Sequence, residues 1–436
     1  MLPNFPLDKS QPTTRDIREA NRLLILHQLL LRSTSTRQEL GQSTGLSTAT
    51  VANLIADLLE EGLVVEVGMT ASQGGRPITV LAINAAAGAC MGVDVAETYI
   101  HFDLYDLALK NIAEHTIGLS SSKKEPQDII QLISSGVNAV LAQTQIAVER
   151  VIGIGISIPG PFEHSTGVSV FAPSWGWVNV SLKALLEQEI RAPLYLDNPL
   201  KFNAIAEAWF GAGRNVKTMA AMVWGTGVGT GLVINGQLFH GASNTAGEWG
   251  HAVIIAGGRR CRCGNRGCLE AYIGAPGILQ TLAEINPNSD LLFADDQTRS
   301  IESIAAAARQ NDPTALAVIH QTAVYLSAGF ASLINIINPE LIVMDSWVAD
   351  LLGEIILPEL IELVGQQSLA QPFRAVRFAL SDMARNPVSL GAATLVLEEF
   401  LTKAGRQPAA MRMDNLSAAK ASTIGTPATE FIAQGR

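Results

Sequence analysis

Three of the chain's four cysteines, Cys261, Cys263 and Cys268, fall within eight residues, and His251 lies ten residues before the first of them. Zn2+ takes thiolate sulfur and imidazole nitrogen in a tetrahedron, and a Cys3His set fills all four positions. The chemistry expected here is therefore structural: one Zn2+ that ties a loop into a knob, with no place for a catalytic water. Gly264 and Gly267 sit among the ligands, where so compact a cluster forces backbone angles that a Cβ resists. Three unrelated buried cysteines are the alternative, and their clustering with a histidine in a cysteine-poor chain argues against it.

At 436 residues the chain has room for two or three domains with filled cores and needs no disulfide staples. The remaining cysteine, Cys90, fits a reducing compartment. The N-terminal residues carry charge without a following apolar stretch, so no signal peptide is expected. Nor does a run of about eighteen uncharged apolar residues predict a membrane span. The expected location is the cytoplasm. A formal charge of −10 excludes nucleic-acid binding over the whole surface but leaves room for a small DNA-binding module on an acidic body.

These residues need a frame. Residues 1–14 are polar and proline-bearing and read as a disordered tail. From Asp16 to about Leu31, Ile17, Leu23, Leu24, Leu26, Leu29 and Leu30 fit a helix, and a short one follows from Arg37 to about Ser43. Gly45-Leu46 makes a turn, and Ser47 caps a third helix carrying Val51, Leu54, Ile55, Leu58 and Leu59. Two β-branched runs, Leu63–Val67 and Ile78–Ile83, read as the strands of a wing, so residues 15–85 predict a winged helix-turn-helix. Over residues 86–402, strands at Cys90–Asp94, Ile100–Tyr105, Val151–Ile156, Leu194–Leu196, Ala220–Trp224, Gly231–Ile234 and Leu341–Met344 are expected. They alternate with helices near 126–145, 181–189, 200–211, 300–337 and 391–402, which makes an α/β body. Residues 403–436 lack periodicity and read as a second disordered tail.

A wing tip of Gly74-Gly75-Arg76-Pro77 ahead of an α/β body with His251 and Cys261-x-Cys263-Gly-x-x-Gly-Cys268-x-Glu270 resembles the ROK family (repressors, open reading frames and sugar kinases) over roughly residues 15–402. The resemblance implies a two-lobed, actin-like (ribonuclease-H-like) sugar-kinase fold with a sugar pocket in its cleft. Members phosphorylate sugars with ATP or, where a winged helix precedes the body, repress genes in response to sugars; the N-terminal module favours a repressor. By the same resemblance Glu248, His251 and Glu270 match hydroxyl-binding positions, and Asn198 lies beside the catalytic one. Carboxylate oxygens suit vicinal hydroxyls, and zinc on one ring nitrogen of His251 leaves the other for the sugar. The alternative for the two glutamates is pairing with Arg259, Arg260, Arg262 or Arg266. Ser174 replaces an asparagine common in the family, and Trp175 and Trp177 are candidates for sugar stacking or for the core.

Kinases of this family differ from the chain at the ATP site. Where they read Asp-x-Gly-Gly-Thr, Asp94-Val95-Ala96-Glu97-Thr98 sets a carboxylate where phosphate would approach. Met344-Asp345-Ser346-Trp347 replaces a glycine-rich adenosine motif, and Asn198-Pro199-Leu200-Lys201 replaces Asn-Asp-x-Asn, whose Asp is the general base. Proline cannot take a proton. The Gly225–Gly231 run is kept, a weak phosphate signal by itself. Neither ATP nor catalysis is expected. Loss of the Asp beside Lys201 admits a sugar phosphate as well as a neutral sugar, unless Lys201 points to solvent.

In a winged helix-turn-helix the third helix enters the major groove, so Ser47, Thr48, Thr50 and Asn53 are expected at bases and phosphates and Arg76 in the minor groove. Residues 15–84 hold six arginines, no lysine and seven acidic residues. Arg15, Arg18, Arg22, Arg37 and Arg76 can still lie on one face of the module. The chain thus reads as a sugar-responsive repressor, a homodimer or homotetramer on inverted-repeat operator DNA. A sugar kinase with an accessory DNA-binding domain, or a protein-binding scaffold, are the alternatives.

Overall fold

The computed structural model describes residues 13–70, 77–119, 125–144, 146–172 and 175–402. Arg76 with the Gly74-Gly75 tip, Ser174, and nearly all of both expected tails lie outside these residues. Side-chain caps punctuate the first three helices, α1 (Thr14–Arg32), α2 (Arg37–Thr44) and α3 (Thr48–Glu60). Thr13 with Asp16 and Thr36 with Glu39 form reciprocal capping boxes, and Ser47 accepts from the Thr50 amide at 3.1 Å. Gly45 ends α2 at φ 71°, a conformation that favours glycine. Strands β1 (Ser35–Thr36), β2 (Val64–Thr70) and β3 (Ile78–Ile83) form an antiparallel sheet in the order β1-β3-β2. Leu26, Leu29, Leu40, Val51, Ile55, Leu58 and Leu81 are wholly buried between helices and sheet.

The body repeats one sheet plan. In the first lobe, β4 (Ala89–Val95), β5 (Tyr99–Asp106) and β6 (Asn111–Gly118) run antiparallel, and β7 (Val151–Ser157) lies parallel to β4. A small sheet of β8 (Phe162–Glu163), β9 (Val168–Ala172) and β10 (Trp177–Val180) follows before β11 (Leu194–Asp197) completes the order β11-β7-β4-β5-β6. In the second lobe β12 (Met219–Trp224), β13 (Val228–Ile234) and β14 (Gln237–Leu238) are antiparallel, and β15 (Leu341–Asp345) and β16 (Arg377–Leu380) add in parallel, giving β14-β13-β12-β15-β16.

Helices α4 (Pro126–Thr144) and α5 (Leu182–Glu189) cover the first sheet, and α6 (Pro199–Trp209) packs on β12 and β13. The second lobe is completed by α7 (Glu270–Ile273), α8 (Ala275–Ile285), α9 (Gln297–Arg309), α10 (Pro313–Ile337), α11 (Trp347–Gln367) and α12 (Ala370–Ala375), and α13 (Pro387–Thr402) returns to the first. The expected single helical stretch at 300–337 is split by the Asp312 cap and Pro313. By length and composition α10 could cross a membrane, contrary to the sequence reading, but 61% of its most apolar window is buried inside the fold, as in a core helix. Glycines allow α13 its approach: a Cβ on Gly92 would meet the Ser389 carbonyl oxygen at 1.8 Å, and one on Gly391 the Phe202 carbonyl oxygen at 1.8 Å.

The first three helices dock on this body through α1. Leu26 and Leu29 share a cluster with Leu397, Phe400 and Leu401 of α13. His27 meets Trp209, the last residue of α6, edge-on at 4.6 Å.

Candidate functional site

The zinc set is brought together as expected. Residues 252–269 form a small looped knob closed by bridges between Val253 and Cys268 and between Arg260 and Arg266. Gly264 and Gly267 take φ of 96° and 82°, and a Cβ on Gly267 would strike the Ile255 carbonyl oxygen at 1.7 Å. Cys263 Sγ and Cys268 Sγ are 3.7 Å apart, and Cys261 Sγ is 3.6 Å from His251 Nδ1. For Zn–S of about 2.3 Å and Zn–N of about 2.0–2.1 Å, a tetrahedron has edges of about 3.8 Å and about 3.6 Å. The four ligand atoms thus fit Zn2+.

The other ring nitrogen of His251, Nε2, lies 3.9 Å from Glu248 Oε2. Between them Trp249 stacks on Phe330 at 4.9 Å and donates to the Gly329 carbonyl at 3.2 Å, pinning this turn to α10. Burial raises the Glu248 carboxyl above its ordinary value. Glu270 opens α7 just after Cys268 and is buried; its Oε2 accepts from the Val228 amide at 3.0 Å, and its Oε1 from Arg262 Nε at 3.0 Å. Pairing with an arginine, weighed for both glutamates, holds for Glu270. Arg259 instead binds Glu284 and lies over the Tyr272 ring.

Asn198 is the N-cap of α6, its Oδ1 accepting from the Lys201 amide at 3.3 Å. Its Nδ2 is buried and has no hydrogen-bond partner among the described residues, a donor that a bound oxygen would satisfy. Lys201 does not point to solvent. It is 1% exposed, and its Nζ donates to Asp197 Oδ1 at 2.8 Å and to the Asn244 carbonyl at 2.7 Å. Asp197 also meets His164 Nε2 at 2.7 Å. Burial pushes the Asp197 carboxyl up, but His164 and Lys201 outweigh it and hold it below its ordinary value. His164, Asp197 and His240 are close enough to be considered for a metal, as are His101, Asp103 and Glu114. In each group the aspartate is already engaged, Asp197 as described and Asp103 by Tyr105, Asn111 and Ser389. The sequence gives no sign of His164 and Asn244, because the cluster is assembled from separate loops; the Lys201 pairing could have been suspected from its i, i+4 spacing to Asp197.

The segments that depart from the kinase pattern in sequence are packed as follows. Asp94 is buried, accepting from Tyr99 Oη and Asn386 Nδ2 at 2.9 Å each, and burial raises its carboxyl above the ordinary value. Pro199 starts α6 with no acid group at that position. Ser346 holds φ 84°, and a Cβ on Gly225 would come within 2.9 Å of Trp347 Nε1. Gly229 and Gly231 of the glycine run lie within β13 and admit Leu200 of α6. Trp175 and Trp177 are both buried in the first lobe's core, 4.7 Å apart, and so belong to packing.

On α3, Thr48 and Asn53 are exposed, while the Ser47 and Thr50 hydroxyls meet at 2.8 Å as part of the cap. Three of the arginines weighed for DNA carry acidic partners. Arg22 is buried against Glu61, Arg18 pairs with Asp57, and Arg37 pairs with Glu66 at 3.4 Å.

A solved transcriptional regulator of the ROK family, described as a homologue of the E. coli Mlc protein, superposes with a TM-score of 0.74 at 24% identity, over 89% of this chain and 98% of that one. The class is thus the mixed α/β fold shared by these regulators and sugar kinases. Residues 90–399 match the ROK family, and the chain belongs to it. It is 29% identical over 390 residues to the xylose repressor of Caldicellulosiruptor bescii, covering 88% of this chain and 97% of the repressor. It is also 31% identical over 316 residues to the glucokinase of Halalkalibacterium halodurans, covering 71% of this chain and 95% of the kinase.

Proposed function

We propose that the protein is a sugar-responsive transcriptional repressor in which residues 15–85 act as a winged helix-turn-helix and the kinase-like body at 86–402 binds a sugar without phosphorylating it. The state of the cleft carries this reading. Its sugar end keeps Asn198 Nδ2 without a partner together with Glu248, His251 and Glu270. At its nucleotide end Pro199 stands in place of the base and Glu97 and Trp347 stand where glycine is needed. His251, Cys261, Cys263 and Cys268 would hold a structural Zn2+ that fixes the ring of His251 and the start of α7.

Ser47, Thr48, Thr50 and Asn53 would meet the major groove, and Arg76, outside the described residues, the minor groove. Helix α6 offers a route between the sites, since it begins at Asn198 and ends at Trp209 against His27 of α1. A homodimer or homotetramer on inverted-repeat DNA would double each contact. D-xylose is the first effector to test, from the name of the xylose repressor to which the chain is similar. Calorimetry with D-xylose, hexoses and their phosphates, beside an ATP-dependent phosphorylation assay, tests the reading. Sugar binding without phosphorylation is expected; sustained turnover with ATP would overturn it.

A further inference from the structure

Arg262 lies between two thiols of the zinc set, yet its side chain enters the cleft. Its Nε and Nη2 donate to the two oxygens of Glu270 at 3.0 Å and 3.4 Å, and its Nη1 reaches Glu97 Oε1 at 2.8 Å. Glu97 belongs to the turn between β4 and β5 in the first lobe, whereas Arg262 and Glu270 belong to the second. One guanidinium thus ties a sugar-site carboxylate to the opposite lobe through all three nitrogens, a task that its planar fork can perform and a lysine cannot. The glycine run makes room for it: a Cβ on Gly227 would fall 2.3 Å from Arg262 Nη2. In a nucleotide-binding relative of the kind the resemblance implies, glycine at position 97 would leave this space to phosphate.

We propose that Arg262 is a positioning residue for the effector, holding Glu270 for a sugar hydroxyl and, through Glu97, making sugar binding depend on closure of the two lobes. This rests on reading the cleft as a sugar pocket. A neutral sugar brings no charge to the site, so a salt dependence of its affinity reports rearrangement of the protein's own ion pairs. Screening shortens to about 3 Å at 1 M salt, enough to weaken a partly exposed pair such as Arg262 with Glu97.

The test is the affinity of the full-length protein for D-xylose at low and at about 1 M salt, with zinc content checked for each variant. Glu97→Gln, remote in sequence from the zinc ligands, is expected to weaken binding about three- to tenfold and to abolish its salt dependence. Arg262→Gln should be weaker still, and adding Glu97→Gln to it should change nothing further. Additive losses, or a Glu97→Gln variant that binds like wild type, would overturn the proposal. Amide hydrogen exchange without sugar gives a second reading: each single variant should speed exchange in both 94–99 and 225–229, on opposite lobes. If wild type binds no sugar, the pocket reading fails, and the exchange result alone decides whether the tie exists; unchanged exchange would refute it.

Discussion

Asn198 does two things with one amide: its oxygen caps α6, and its buried nitrogen has no partner among the described residues. Serine also caps helices but has no second donor at that place. Asn198→Ser should therefore fold normally by thermal melting while its affinity for the effector drops on the order of tenfold, the worth of a lost hydrogen bond at a buried site. Cys268→Ser removes one ligand of a set that has no spare, so elemental analysis should find the zinc lost and a melting curve should show the body destabilised. The Cys3His cluster was legible because its members lie close in sequence. Arg262 was visible in the same motif, but its partner Glu97 lies 165 residues away, and no spacing rule links them. For Lys201 the i, i+4 spacing hints at Asp197, while the Asn244 carbonyl that also holds it lies 43 residues away.

At the scale of elements, helices with side-chain caps or firm periodicity were legible, and α1 to α3 follow the sequence reading to within about two residues. Helix α11 was not read, since it has apolar residues around much of its circumference and Pro358 inside. Strand β6 also escaped, because its inward side mixes Asn111, Ala113, His115 and Ile117. On α3, Asn53 is exposed and takes no part in the cap. Asn53→Ala should cost about 1–3 kcal/mol on specific DNA and nothing on random DNA, measured by fluorescence anisotropy, with an unchanged melting temperature. Thr50 also supports the Ser47 cap, so replacing it mixes both effects.

The junction of α1, α6 and α13 has its own pH signature. Burial lowers the His27 pKa to about 4 and raises that of Glu398, which accepts from Trp209 Nε1 at 3.1 Å, to about 7. Between the ordinary glutamate value of 4.5 and about 7 the folded protein keeps a proton on Glu398 that the unfolded chain has lost, so this group's stabilising contribution falls as pH rises. His27 acts in the opposite sense between 6.5 and about 4, where the unfolded chain is protonated first and stability falls as pH drops. Glu398→Gln removes the first effect alone. Its gain in melting temperature over wild type should be larger at pH 7.5 than at pH 5.

Across the whole molecule, two lobes repeat one sheet plan, and the N-terminal helices dock where α6 and α13 end. The two-lobed plan was expected from the resemblance, while the docking was not, because it depends on which faces of α1, α6 and α13 remain apolar after each lobe has closed. Coupling requires that the effector bind one arrangement of these parts more tightly than another. The most direct test is the affinity of the purified protein for DNA that it selects from a random pool, titrated with D-xylose and then with other sugars, in the absence of ATP. The account predicts an inverted repeat whose affinity changes by about tenfold or more with one sugar, matching a coupling of about 1–3 kcal/mol. Selection of no preferred sequence, or a preferred sequence bound equally with every sugar, would contradict it.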